Sequence, residues 1–282
     1  MAARCELRLP TKPDSRDAAL AAIAEICRIE AKYSRYRNDS VIANINQNAS
    51  DGEVFCDHET LSLLRFADDM YRLSGGLFDI TSGVLRKAWN FKAGSVAAQA
   101  QLNQLLPLVG WKYVDIRHQT ISFQRDGMEL DFGGIGKEYA ADRGRQVLID
   151  KGVSCALIDL GGDIASLGGK PDGSPWTLGI RHPRQNDQIL AVVPIQTGAL
   201  ATSGDYERFI VHQGIRYCHI LNPQTGWPCT YWQSMSIIES SCLRAGALAT
   251  IAMLKQQSAP EFLEQQRISW LGVGPDGAVL MV

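Results

Sequence analysis

Five places in this 282-residue chain carry residue types that could do chemistry. In residues 130–143, LDFGGIGKEYAADR, an apolar run of Met128, Leu130 and Phe132 meets Gly133, Gly134 and Gly136, and Lys137 then opens a segment of helical spacing. A strand, a bare-backbone turn and a helix start point unpaired N–H groups outward, and glycine lets a phosphate approach them. A plain tight turn competes with that reading, because short glycine motifs recur by chance; the spacing fits neither a Rossmann fingerprint nor a P-loop. In residues 200–209, LATSGDYERF, Thr202 and Ser203 precede Gly204, which makes either a Ser/Thr turn or a contact for a phosphate or polar ring. His219, in YCHILNPQTGWP, sits on a short apolar strand before an Asn-Pro turn, where a histidine is more often a core or edge residue than a catalyst. Asp79 is a lone acid among Leu77, Phe78 and Ile80, so it is either a cap for local N–H groups or a ligand contact. Tyr36 lies between Arg35 and Arg37, in an exposed polar loop or as a face for a flat ring.

The elements that must position these residues are legible from periodicity. Residues 5–9 alternate like a first strand, and a helix follows from Asp14 or Ser15 with Ala19, Ala22, Ile23, Ile26 and Ile29 at three- and four-residue spacing. A second helix over 59–73 carries Leu61, Leu64, Ala67, Met70 and Tyr71 and is stopped by Gly75-Gly76. Residues 96–106 predict a short helix, 114–116 and 120–123 a hairpin-like pair, and 137–151 a helix ended by Gly152. The apolar strand 156–160 closes on a second glycine pair, Gly161-Gly162, before Asp163. Strands are expected over 176–180 and 190–195. The small-residue helix 243–257 is expected to lie close to backbone or ligand rather than to fill a bulky core.

At 45% hydrophobic and 21% charged, the chain has the composition of a packed soluble protein. A net charge of −2 supplies no basic field for nucleic acid, so any anion must be met locally. Seven scattered cysteines, never spaced CxxC, favour free thiols in a reducing compartment over a disulfide scaffold or zinc site. With no apolar run near bilayer length and no secretory h-region, the expectation is a cytoplasmic protein without a membrane span.

Taken in order, SRYRNDSVIANIN, GGLFDITSGVLRKAW, LDFGGIGKEYAADR, LIDLGGDIASLG, PWTLGIRHP, LATSGDYERF, YCHILNPQTGWP and AGALAT resemble the ApbE family, the FAD:protein FMN transferases, over most of the chain. The resemblance implies an α+β, T-fold-like domain over residues 1–282, with helices on antiparallel sheets and FAD in a cleft between two lobes. It also implies Mg2+ against the diphosphate. In such enzymes a Ser/Thr hydroxyl of an acceptor flavoprotein attacks the FMN phosphorus and AMP leaves. It would place Tyr36 near the flavin or adenine, Leu77, Phe78 and Asp79 along the FAD site, and Gly133 and Tyr139 along the nucleotide. Thr202, Ser203 and Gly204 would form a cleft loop, while His219, with Ile220, would flank the reacting phosphate as the proton-transfer group. Gly136, Ala249 and Thr250 would supply metal oxygens.

Three positions depart from the family pattern. AGALAT at 245–250 stands where the family has ADALAT, so Gly246 replaces the metal aspartate, and the nearest alternative carboxylate, Glu239, lies seven positions earlier and in no register with the helix face. Asn222 replaces the aspartate of the Asp-Pro-x-Thr-Gly turn, and Met1-Ala2-Ala3 stands for the usual Met-Gly-Thr. The family's usual lipoprotein signal is not seen. Beside transfer, the pattern therefore allows a cytoplasmic FAD-binding protein with lost or altered transferase activity, or FAD diphosphate hydrolysis.

Overall fold

In the computed structural model, which describes residues 4–185 and 187–282, Arg4 leads into β1 (Cys5–Arg8). The Met-Ala-Ala departure at 1–3 lies outside the described residues. α1 (Ser15–Tyr33) buries Ala18, Ala22, Ile26, Ile29 and Tyr33, and leaves Ile23 exposed, so the buried stripe begins at Ala18 rather than at Ala19. The Ser40 hydroxyl caps α2 (Val41–Asn48) by accepting from the Ala43 N–H at 3.0 Å. β2 (Val54–Phe55) precedes α3 (His58–Ser74), which starts where Asp57 accepts the Thr60 N–H at 2.9 Å and ends at Gly75 in the left-handed region, φ 70°. A 3-10 segment, Ile80–Lys87, and α4 (Gln99–Leu105) lead to the hairpin β3 (Val114–Arg117) and β4 (Thr120–Phe123).

α5 (Gly136–Asp150) feeds the hairpin β5 (Ala156–Leu160) and β6 (Asp163–Leu167). β7 (Trp176–Arg181) and β8 (Ile189–Ile195) pair with each other, and β9 (Gly198–Gly204) returns to the main sheet. The hairpin β10 (Phe209–His212) and β11 (Ile215–Cys218) precedes β12 (Ser234–Glu239), α6 (Cys242–Lys255), α7 (Ala259–Gln265), β13 (Ser269–Val273) and β14 (Val279–Met281). The chain is therefore α+β, as expected.

Seven strands form one antiparallel sheet in the order β1-β5-β6-β9-β12-β13-β14. Because successive strand residues point to opposite faces, Ala199 and Ala201 of β9 face the helices, while Leu200 faces the β7–β8 hairpin with Leu178, Ile180 and Ile195. Each buried Ile or Leu on these faces contributes about 1.5–3 kcal/mol of transfer free energy. α6 is buried along nearly its whole length, from Ala245 through Leu254 except Thr250, so it is a core helix after all. Its alanines and glycine let it lie close to Ala199 and Ala201, which larger side chains would prevent.

Two expectations for local structure are corrected. Residues 200–204 belong to strand β9, not to a turn, because both faces of the sheet are covered and no polar alternation marks the strand. The run through Leu130 is extended but is not a strand. The Asn46 carboxamide donates to the Leu130 carbonyl at 2.9 Å and accepts the Leu130 N–H at 2.7 Å, and the Asp131 N–H bonds to the Ile80 carbonyl at 2.8 Å. Those side-chain and loop partners satisfy the backbone that a neighbouring strand would otherwise have to pair.

Candidate active site

The glycine turn of residues 133–136 delivers Lys137 at the first turn of α5, beside the start of β6. The Gly161-Gly162 turn, with φ of 70° and 94°, aims Asp163 back at it, and the Lys137 ammonium pairs with the Asp163 carboxylate. Burial alone would lower the Lys137 pKa, but Asp163 and then Glu138 outweigh it and raise it above the usual value, so the side chain is a fixed cation. Asp163 is further held by the Thr202 N–H at 3.2 Å. On the other flank, Asp131 accepts the Gly133 N–H at 2.9 Å and pairs with Arg35, whose guanidinium also donates to the Tyr36 hydroxyl at 2.8 Å. Tyr36 is 76% exposed with Arg35 against its ring, so its aromatic face is open.

His219 joins these two flanks. It follows β11 directly, where its N–H bonds to the Arg208 carbonyl at 3.0 Å, and the residue as a whole remains solvent-accessible. Protein crowding around the ring, then the positive charges of Arg208, Lys137 and Arg35, push its pKa down to about 4. The imidazole is therefore neutral at physiological pH and free to take a proton. Three cations from separate elements thus act electrostatically on one ring, two of them, Lys137 and Arg35, being themselves paired with Asp163 and Asp131. Two concavities flank this cluster: one includes Arg35, Asp131 and Leu130, the other Gly161, Gly162, Thr202 and Tyr206.

The remaining expected residues divide. Ser203 faces the helices and its hydroxyl lies 3.1 Å from that of Thr250, whereas the Thr202 hydroxyl points to the opposite face and pairs with Ser236 at 2.8 Å. Thr202 thus reaches the cluster only through its backbone N–H. Gly204 has no room for a side chain, since a Cβ there would lie 2.4 Å from the Tyr206 ring. Ile220 is buried beside His219, Phe78 packs under Gly134, and Leu77 lies half-buried on the main core. Asp79 is a cap: its carboxylate accepts the Thr81 N–H at 2.8 Å, the Thr81 hydroxyl at 2.6 Å and the Trp111 N–H at 3.1 Å, which leaves it committed to local structure. Tyr139, about 200° round the helix from Lys137, turns away and donates to Glu59 at 3.0 Å. Gly136 and Ala249 sit inside helices, where their carbonyls are already in reach of helical N–H groups.

Four residues that sequence reasoning passed over belong to the site: Arg35, Asp163, Arg208 and Glu138. The arginines flanking Tyr36 and the acid after the second glycine pair were visible signals for two of them. Glu138 was not, because it is brought in by helix packing. It is 6% exposed, faces α6, and its pKa is raised well above the usual range by burial first and by Asp163 next. The nearest acid to Gly246 is this one, from α5, rather than Glu239. A Cβ at Gly246 would stand 2.5 Å from the Glu138 Cγ, and the Glu138 Oε2 is buried without a hydrogen-bond partner. One turn further on, Asp142 caps α6, accepting the Cys242 N–H at 3.0 Å, the Leu243 N–H at 2.9 Å and the Ser241 hydroxyl at 2.8 Å.

This arrangement of glycine turns, cations and a histidine coincides with a family match over residues 1–271, to the model described as the ApbE family. The chain belongs to the ApbE family. Among relatives of this ApbE-family chain, the FAD:protein FMN transferase of Treponema pallidum is 33% identical over 269 residues, covering 87% of this chain and 74% of that protein. One of Klebsiella pneumoniae is 32% identical, covering 84% and 76%. The solved ApbE protein from Thermotoga maritima superposes with a TM-score of 0.90 at 31% identity, covering 98% of this chain and 93% of that one. The flavin transferase ApbE from Vibrio cholerae gives 0.90 at 25%, covering 100% and 94%. Among the described residues no helix is long and apolar enough to cross a membrane.

Proposed function

We propose that this ApbE-family chain is an FAD:protein FMN transferase. The observation that carries the reading is the convergence of Arg35, Lys137 and Arg208 on a neutral His219, in a chain whose relatives bear that name. A flavin dinucleotide presents two negatively charged phosphates and a flat ring system. Fixed cations stabilise the former, and the open Tyr36 face suits a ring of the latter.

The reaction is transfer to a serine or threonine hydroxyl of an acceptor protein. The hydroxyl oxygen forms a bond to the FMN phosphorus as the bond from that phosphorus to the bridging oxygen breaks, and AMP departs with that oxygen. The hydroxyl proton passes to the His219 imidazole, which is neutral at neutral pH and so has a ring nitrogen able to accept it. Lys137 and Arg208 neutralise charge on the diphosphate, and Arg35 holds Tyr36 in place through the 2.8 Å hydrogen bond.

Mg2+, when bound, adds charge neutralisation on the diphosphate and improves AMP as a leaving group. The residues present fit such an ion: a hydroxyl at Thr250 and a buried carboxylate oxygen without a hydrogen-bond partner at Glu138 lie on facing helices. Incubating the protein with FAD, Mg2+ and a cell extract, then imaging flavin fluorescence on a denaturing gel, tests the reading. A fluorescent acceptor band that requires the protein supports it, and free FMN with no labelled protein points instead to hydrolysis.

A further inference from the structure

Resting on the transferase reading for the class of ion, we propose that Glu138 is the carboxylate that holds the divalent cation in this chain, reaching from α5 into the space that Gly246 leaves on α6 and standing beside Thr250.

The geometry admits one carboxylate at this spot. A Cβ at position 246 would lie 2.5 Å from the Glu138 Cγ, 3.1 Å from its Cδ and 3.3 Å from its Oε1, so a side chain there and Glu138 in its present place are mutually exclusive. Gly246 is thus a cradle for Glu138, not a bare gap. Thr250 follows Gly246 by one helical turn on the same face, so a group seated at 246 neighbours the Thr250 hydroxyl whichever helix supplies it.

Glu138 is also the least committed acid of the cluster: the Asp163 carboxyl and the Lys137 ammonium neighbour it, and its Oε2 is left without a hydrogen-bond partner. Asp163 is engaged by the Lys137 ammonium and by the Thr202 N–H, and Asp142 by the N-terminus of α6. The Lys137 ammonium is 4.0 Å from Glu138 Oε1, beyond hydrogen-bond range, and Oε2 has no partner at all in the described residues. A buried carboxylate with one oxygen lacking a hydrogen-bond partner is costly in its ionised form unless a cation binds it. Hard oxygen donors from a carboxylate and a hydroxyl, with phosphate oxygens completing the shell, are what Mg2+ takes. Glu138 therefore occupies, from α5, the space beside α6 that a side chain at position 246 would otherwise fill.

Mn2+, a paramagnetic stand-in for Mg2+, measures this on the full chain by electron paramagnetic resonance, with no turnover required. The unmodified protein is expected to bind Mn2+ in competition with Mg2+. Glu138→Gln, which keeps the shape, should weaken that binding by about tenfold or more without lowering the melting temperature. The exchange Glu138→Gly with Gly246→Asp should recover most of the affinity. Unchanged Mn2+ binding in Glu138→Gln, or no Mn2+ binding by the unmodified protein, overturns the proposal. Should Glu138→Gln fail to fold, Glu138→Gly compared with the double exchange decides: loss and recovery are expected, and equal binding in the two overturns it. A parallel FAD titration without metal, read by flavin fluorescence, separates the two levels: FAD bound with Glu138 irrelevant to Mn2+ removes only this inference, whereas Mn2+ dependent on Glu138 with no FAD binding removes the transferase reading.

Discussion

The Ser203 hydroxyl lies 3.1 Å from the Thr250 hydroxyl, tying the middle of the sheet to α6 one turn beyond Gly246. That single contact joins a strand whose sequence reads as a turn to a small-residue helix packed close against it. It also fixes Thr250 in a place where its oxygen can serve both partners.

Thr250→Ala removes the hydroxyl and leaves Ser203 without that partner at a half-buried position. Stability should fall by about 1 kcal/mol, the net worth of one such hydrogen bond. Transfer should fall by about tenfold or more, as expected for loss of one metal oxygen or its support. Thermal melting beside an FMN-transfer assay separates the two effects, and equal losses in both would assign Thr250 a packing role only.

His219 predicts the pH profile. Its pKa of about 4 means that kcat/KM should rise with pH through that value and be level from there to neutrality. A limb centred on the ordinary histidine value would show that the ring is not held neutral by its surroundings. His219→Ala should slow transfer by about 10²–10⁴-fold and abolish the limb, with FAD binding retained.

Asp142 predicts stability without chemistry. Its carboxylate accepts two backbone N–H groups and one hydroxyl at the start of α6 and pairs with Arg145 at 2.9 Å, so Asp142→Ala strips a buried helix end of its cap. The cost should be about 2–4 kcal/mol, read as a fall in melting temperature of several degrees. A change within about 0.5 kcal/mol would show that water replaces the cap at no cost.

Glu59 predicts acid sensitivity. Burial would raise its pKa, but hydrogen bonds from Arg28 and Lys32 outweigh that and hold it at about 2, against 4.5 for the free side chain. A carboxylate with a depressed folded-state pKa contributes stability that is complete above the unfolded value and is lost as pH falls through the folded one. Denaturant titrations should show stability dropping between pH 4.5 and 2, and Glu59→Gln should be less stable at neutral pH with a shallower slope across that window. Parallel curves for the two proteins would remove Glu59 from the account.

Much of the fold was legible because its signals are local. Ser40, Asp57 and Gly75 mark helix ends by their own chemistry, and α1 and α3 bury stripes at helical spacing. The first glycine turn marked the helix that opens at Lys137 and the second the end of strand 156–160, but the strand that Asp163 begins was not foreseen. What stayed hidden depends on partners distant in the chain. Residues 200–204 are buried on both faces, so no alternation betrays a strand. Asp79 could have been a cap or a contact until the Trp111 N–H was seen to meet it. Glu138 reads as one more polar residue on a helix, and only the packing of α5 against Gly246 shows which way it points. The nearest carboxylate along the chain, Glu239, is out of register with the helix face, and the acid nearest in space comes from another helix.

The most direct test of the account is AMP release from FAD by the purified protein with Mg2+, followed together with covalent flavin on an acceptor protein. The account predicts AMP and acceptor-bound FMN in equal amounts, both lost in His219→Ala. AMP formed with free FMN and no labelled acceptor, or neither product from a protein that binds FAD, would contradict it.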